Sequence, residues 1–207
     1  CVKKFEDENF ETAYHQSITN EFEFLIARLL VWMSKNKKLG WKIYLRKPIK
    51  TRKSKNTEKA APDIRIQIKN KTIAVLEIKA KMGWQTDYLS KKLFKKYQKK
   101  FNETQKGYDP KSGINKLNKQ LKKYSTTFNI PYNKVYLILP TLIHVSRKYD
   151  KVEDFKKTFK EHSKLPKGNL VLLSKNLKLD LDNPKNKQLK ETNEFEKLLN
   201  KLEKIQQ

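Results

Sequence analysis

The sequence predicts an α/β protein in which helices flank a central sheet. Several segments have apolar residues at helical spacing, and apolar runs of strand length lie between them. The alternation of the two patterns along the chain indicates one layered domain. We place this domain at residues 1–183 and expect residues 184–207 to form a linker and an amphipathic helix packed on the domain or on a partner.

The first predicted element is a helix over residues 17–35. Its apolar side chains cover most of the circumference, which is typical of a buried helix. They are Ile18, Phe22, Phe24, Leu25, Ile26, Leu29, Leu30, Val31, Trp32 and Met33. A short strand is predicted at 41–45, and the basic segment 46–59 is expected to be a loop.

The clearest strand pair spans residues 63–79. Three isoleucines alternate with polar residues over 64–68, and the polar residues 69–71 predict a turn. The run 73–79 has few polar positions, which indicates a central strand buried on both faces. The two strands are therefore predicted to form a hairpin.

The remaining elements follow from the same patterns. The predicted elements are helices at 87–102, 112–126 and 152–162, strands at 135–139 and 170–173, and a final helix at 192–205 with Asn193 and Glu196 as a capping box.

The composition indicates a partner that is a polyanion. Lys and Arg total 48 against 22 Asp and Glu, so the formal net charge is +26, and such a chain is attracted to nucleic acid. A lysine-coated surface without a partner is the alternative. The single cysteine and three scattered histidines exclude a disulfide framework and a Cys/His zinc site.

The same inspection excludes other classes. No apolar run reaches the roughly 18 residues that span a membrane, and no glycine-rich nucleotide motif is present. The first twenty residues lack the apolar core of a signal peptide, so we expect a cytoplasmic protein. The start at Cys1 fits a trimmed chain, a processed product or a fragment of a larger protein.

Three charged residues in the hairpin can carry chemistry. Asp63 begins the first strand, and Glu77 and Lys79 project from one face of the second because they are two residues apart. Pairing can bring the two carboxylates together, and paired carboxylates need a cation between them. Oxygen ligands of this kind suit Mg²⁺. Glu77 heads the chain's only Glu-x-Lys.

Pro62-Asp63 followed by Glu77-x-Lys79 resembles the PD-(D/E)xK nuclease superfamily. Glu21 on the first helix resembles the family's helical acid, although Glu23 competes for that position. Gln120 and Tyr124 resemble the family's Gln-x-x-x-Tyr element. The resemblance covers about residues 17–140 and implies a restriction-endonuclease-like mixed central sheet flanked by helices.

The resemblance implies a Mg²⁺-dependent DNA endonuclease with one or two ions, for which Mn²⁺ substitutes. Asp63, Glu77 and Glu21 would hold the metal, and Lys79 would orient or activate the attacking water. Gln120 and Tyr124 would support the site. The size suits a type II restriction enzyme that cuts duplex DNA at a short specific site as a homodimer.

Basic side chains near this motif are expected to contact DNA phosphates. The candidates are Arg46, Lys47, Lys50, Arg52, Lys53, Lys81, Lys91 and Lys92, and the arginines Arg46, Arg52, Arg65 and Arg147 are the candidates for guanine contacts.

Other functions remain open at this level. The same core serves Holliday-junction-like, structure-selective nucleases, nuclease toxin domains that meet an immunity protein, and modules of larger restriction and transposition systems. A non-catalytic nucleic-acid-binding module with a buried Glu–Lys pair is the alternative from a different class.

Overall fold

The computed structural model of the chain describes residues 10–12, 18–47, 49–50, 59–79, 112–140, 152–174 and 192–206. The strands are β1 (Phe10–Thr12), β2 (Lys42–Leu45), β3 (Ile49–Lys50), β4 (Lys59–Ala60), β5 (Ile64–Ile68), β6 (Lys71–Ile78), β7 (Val135–Leu139) and β8 (Leu170–Leu172). The α-helices are α1 (Ile18–Asn36), α2 (Ser112–Phe128), α3 (Val152–His162) and α4 (Glu194–Glu203), and short 3₁₀ turns cover Tyr132–Lys134 and Lys204–Gln206.

The described strands form a mixed sheet in the order β1-β2-β5-β6-β7-β8, and β3 pairs separately with β4. β1 runs parallel to β2, whereas β2, β5 and β6 pair in antiparallel fashion. The predicted α/β class with a sheet and flanking helices is confirmed at this level. None of the described helices is long and apolar enough to cross a lipid bilayer.

The chain divides into two compact units, which interleave along the sequence. The first consists of Cys1–Ile78, Lys122–Leu137 and Glu196–Gln207, and the second of Lys79–Leu121 and Ile138–Phe195. In the first unit α1 packs on β2, and Lys37 Nζ bonds Glu203 Oε2 of α4 at 2.6 Å. In the second unit the buried Asn118 side chain receives the Lys164 N–H at 3.0 Å and donates to the His162 carbonyl.

Most predicted elements are confirmed within a residue or two. α3 and β7 have the predicted bounds, while α1, α2 and α4 differ slightly at their ends. The segment 46–59 is not a loop throughout, because β3 lies within it and pairs with β4, which begins at its last residue. The predicted helix at 87–102 and the linker before 192 lie outside the described residues.

The prediction that α1 is buried all round is wrong. Leu25, Leu29 and Trp32 form a stripe on one face, and they are 60%, 38% and 62% exposed. The opposite face, which includes Ala27 and Leu30, is fully buried. Because residues four and seven apart share a face of a helix, the exposure of Leu25 extends to neighbours on its stripe.

Two helices end without glycine. Lys38 and Asn129 have φ values of 53° and 51°, and the following N–H groups bond the carbonyls of Ser34 and Ser125. This is the Schellman arrangement, which satisfies otherwise unpaired carbonyls at a helix end. The C-terminal end of α1 also positions the start of β2, because the Ser34 hydroxyl accepts the Trp41 N–H at 2.9 Å.

Candidate functional site

The hairpin of β5 and β6 carries the two predicted carboxylates. Its turn consists of Lys69 and Asn70, which have φ values of 46° and 65°. Two-residue turns with positive φ at both positions match the twist of a hairpin, and asparagine accepts this conformation readily. The turn sets the first pairings of the strands, with Ile68 opposite Lys71.

A β-bulge then shifts the register by one residue. Gln67 pairs with Thr72, but the next residue, Ile66, pairs with Ala74. Ile73 is therefore an extra residue on β6 without a partner in the ladder. A bulge of this kind changes which side chains face each other beyond it.

The shift determines the partner of Asp63. The register beyond the bulge pairs Ile64 with Leu76, so one position further along Asp63 is opposite Glu77. A regular ladder continued from the turn would have placed Asp63 opposite Leu76 and Glu77 on the other face. Directly opposed residues of antiparallel strands point to the same side of the sheet. The bulge therefore brings the two carboxylates together.

Asp63 is fixed by the strand beside it. Its Oδ2 atom accepts the backbone N–H of Ile78 at 2.7 Å, and its carbonyl accepts the N–H of Arg46 at 2.9 Å. The first bond holds the carboxylate against the end of β6. The second extends the pairing of β2 with β5, so Arg46, Asp63 and Glu77 lie in a row across three strands.

Glu77 is almost fully buried, with 1% of its surface exposed. The hydroxyl of Tyr124, on α2, donates to Glu77 Oε2 at 2.9 Å. A buried carboxylate is costly without such donors, because it has lost its hydration. Tyr124 is itself buried at 3% exposure, so α2 supplies a rigid hydrogen bond that fixes the orientation of Glu77.

A third carboxylate belongs to Glu23 on α1. Its two oxygens accept from Nε and Nη2 of Arg46 at 2.5 Å and 2.6 Å, and Glu23 is 1% exposed. This fork geometry is the strongest arrangement of an arginine and a carboxylate. Glu23, rather than Glu21, is the acid that α1 brings to this region.

Arg46 is the positive charge of the row. Its hydrogen bond with Glu23 raises the pKa of Arg46 above its ordinary value, and burial acts in the opposite direction. The negative charges of Glu23, Asp63 and Glu77 raise the pKa further. Arg46 also has a φ of 48°, a backbone conformation that side chains other than glycine and asparagine adopt rarely. The charge of Arg46 is therefore felt by all three carboxylates.

Arg65 is buried, which contradicts the prediction that it contacts guanine. It is 4% exposed. Its guanidinium carbon lies 4.3 Å from the centre of the Tyr44 ring and 5.3 Å from that of Phe128. These cation–π contacts stabilise a charge that has lost water. The alternation over 64–68 does not reveal this burial, because it predicts only one covered face.

Other predicted site residues have separate places. Glu21 is exposed. In the second unit, Lys79 directly follows β6 and donates its N–H to the Ile138 carbonyl at 3.0 Å, and Gln120 is partly exposed on α2. Lys47 is exposed, with its Nζ 5.1 Å from the Tyr44 ring centre.

The structure does not describe the remaining residues that were predicted to contact DNA. The side chain of Lys50 and the residues Arg52, Lys53, Lys81, Lys91, Lys92 and Arg147 lie outside the described part of the chain.

Asp63 and Glu77 offer carboxylate oxygens, the ligand type that hard divalent cations prefer. Each carboxylate has about four acceptor positions; Asp63 accepts the Ile78 N–H, and Glu77 accepts the Tyr124 hydroxyl. Among the described residues, no group of three or more His, Cys, Asp or Glu is arranged to hold a metal. Mg²⁺ typically takes one or two carboxylates together with waters and phosphate oxygens.

In comparisons with protein-family models, curated proteins and solved structures, the chain matches none of them.

Proposed function

We propose that the chain is a Mg²⁺-dependent DNA endonuclease of the PD-(D/E)xK type, with a restriction-endonuclease-like fold. The observation that carries the proposal is the position of Asp63 opposite Glu77 beyond the bulge. Lys79 is the second residue after Glu77 in the chain. An acid on the first strand of a hairpin and Glu-x-Lys on the second is the arrangement that this type of nuclease uses.

The roles follow from the chemistry of the groups. Asp63 and Glu77 would hold the ion, which when bound polarises a phosphoryl oxygen and lowers the pKa of water. Tyr124 keeps Glu77 in one orientation, and the Ile78 N–H does the same for Asp63. Lys79 would orient the attacking water and stabilise developing negative charge. The net charge of +26 favours a nucleic-acid substrate.

Within this class, a type II restriction enzyme acting on duplex DNA as a homodimer suits the size of the chain. Nuclease toxins and structure-selective nucleases share the same chemistry, so the substrate distinguishes them. Smeared cleavage products would indicate a nuclease toxin, and cleavage confined to branched DNA would indicate a structure-selective nuclease.

A cleavage assay on a mixed duplex DNA library tests the proposal. We expect Mg²⁺-dependent cleavage that EDTA stops and that Asp63→Asn and Lys79→Ala reduce at least about a hundredfold, the effect of losing one group that stabilises transition-state charge. DNA affinity should persist in both variants, because phosphate contacts from other lysines supply most of it.

The chain contains a matched control for this assay. Asp154 and Lys156 on α3 have the same spacing of an acid and a lysine as Glu77 and Lys79. Asp154 is exposed. Asp154→Asn should therefore cleave as the unmodified chain does. Strong DNA binding without cleavage in Mg²⁺ or Mn²⁺ would reject the nuclease and leave a nucleic-acid-binding module.

A further inference from the structure

The pair of Glu23 and Arg46 has a role that the metal ligands do not explain. Both oxygens of Glu23 are bound to the same guanidinium. A divalent ion on Glu23 would lie against that positive charge, and like charges at this distance repel strongly. Glu23 is thus poorly placed to be a third metal ligand, although it is the buried acid of α1.

The backbone shows that Arg46 is held where it is. Arg46 has the left-handed φ of 48° immediately after β2, and its N–H bonds the carbonyl of Asp63. Non-glycine residues in this region persist only where the surroundings fix them. The fork with Glu23 and the bond to Asp63 are two such restraints, one on the side chain and one on the backbone.

The position of Arg46 supplies a permanent cation to the row. It follows β2 at the register position opposite Asp63, which is in turn opposite Glu77. An arginine remains charged at every working pH and has five N–H donors. Glu23 uses two of them.

We propose that Glu23 is a positioning residue that holds Arg46 as a fixed positive charge beside Asp63 and Glu77, so that the site takes one divalent ion rather than two. The inference rests on the proposed nuclease function and specifies its metal requirement. Arg46 then fills the electrostatic role of a second ion, and its remaining donors can meet a phosphate oxygen of the substrate.

Calorimetric titration of the full chain with Mg²⁺ alone tests the number of ions without any need for cleavage. We expect one ion per chain. Arg46→Met removes a positive charge and leaves Glu23 available as a ligand. It should therefore bind Mg²⁺ at least about tenfold more tightly or bind a second ion. Cleavage by this variant at saturating Mg²⁺ should nevertheless fall about a hundredfold.

Two further variants distinguish the loss of the positive charge from a failure of Arg46→Met to fold. Glu23→Gln/Arg46→Met removes both charges together, and it should keep one Mg²⁺ per chain while losing cleavage. Arg46→Lys keeps the charge without the fork and should recover part of the cleavage. A pair that is merely structural would leave cleavage in the folded double variant unchanged.

The outcomes separate this inference from the proposed function. Two ions per unmodified chain, or weaker Mg²⁺ binding by folded Arg46→Met, would overturn the role of Arg46 and leave the nuclease intact. Binding of no ion by the unmodified chain would instead reject the metal-dependent function, and this inference with it.

Discussion

Each of the two units contains a glutamate that is paired with a basic side chain, and the two pairs differ in burial. In the first unit Glu23 binds Arg46, and their side chains are 1% and 29% exposed. In the second unit Glu194 binds Lys156, and these side chains are 23% and 38% exposed. Glu194 also accepts the Leu172 N–H at 2.7 Å, so each glutamate has more than one donor.

The difference lies in what happens when a partner is removed. Water can replace a lost partner at Glu194, because the pair is partly solvated. Water has little access to Glu23, so its charge depends on Arg46. The first cluster is therefore constrained in geometry, whereas the second ties Glu194, the first residue of α4, to α3 and β8. This contrast can be tested by mutation.

The largest effect is expected from changing the register of the hairpin. Deleting Gln67 from β5 removes a residue opposite the bulge, so Asp63 no longer faces Glu77, and cleavage should fall at least about a hundredfold. Deleting Ile73 removes only the extra residue and keeps that pairing. The Ile73 deletion should retain most of the cleavage.

The rate of DNA cleavage and the Mg²⁺ affinity of both deletion variants provide the measurement. Equal loss in the two variants would show that the bulge itself, rather than the register it sets, is required.

The next effect compares the two ion pairs directly. Arg46→Met leaves a buried unpaired carboxylate and should lower the free energy of unfolding by about 3–5 kcal/mol. Lys156→Met, the matched change in the second unit, should cost only about 0–1 kcal/mol, since exposed pairs contribute little. Urea unfolding monitored by circular dichroism measures both. Similar losses would remove the distinction between the clusters.

The smallest effect concerns a buried polar group that belongs to neither ion pair. Within the described residues the buried Tyr132 hydroxyl has no hydrogen-bond partner. Burial raises the pKa of Tyr132 and of Tyr136 above 10.0. The pKa of each tyrosine is higher in the folded than in the unfolded protein. The stability that the protonated hydroxyl contributes is therefore fully present below about pH 10 and is lost as pH rises through the folded pKa.

Tyr132→Phe should therefore change stability at pH 7 by less than about 1 kcal/mol and reduce its decline above pH 10. Unfolding curves at pH 7 and at alkaline pH measure this change. A steeper alkaline decline in the variant would contradict it.

The sequence predicted elements better where their signal is local. The predicted bounds of α3 are correct, and so are those of β7, which was predicted from a continuous apolar run. β1 has three residues, and β3 and β4 have two each. Strands this short are defined by pairing with distant segments, which periodicity does not report.

The candidate site shows the same limit. Proximity of Asp63 and Glu77 was predicted from the hairpin, but the bulge that produces it depends on how the two strands pair. Glu21 shares a helix face with Leu25, and that face is exposed. Glu23 shares its face with Ile26 and Leu30, which are buried, so the burial of one stripe of α1 was the missing information.

The turn at Lys69 and Asn70 also bears on the order in which the site assembles. Hairpins form within about 1–10 μs, and contacts between residues near in sequence require little loss of chain entropy. Asp63 and Glu77 lie on the two arms of one hairpin, whereas Glu23 and Tyr124 are far from it in the chain. The carboxylate pair should therefore form early in folding, and the groups that orient it and balance its charge should join when the longer loops close.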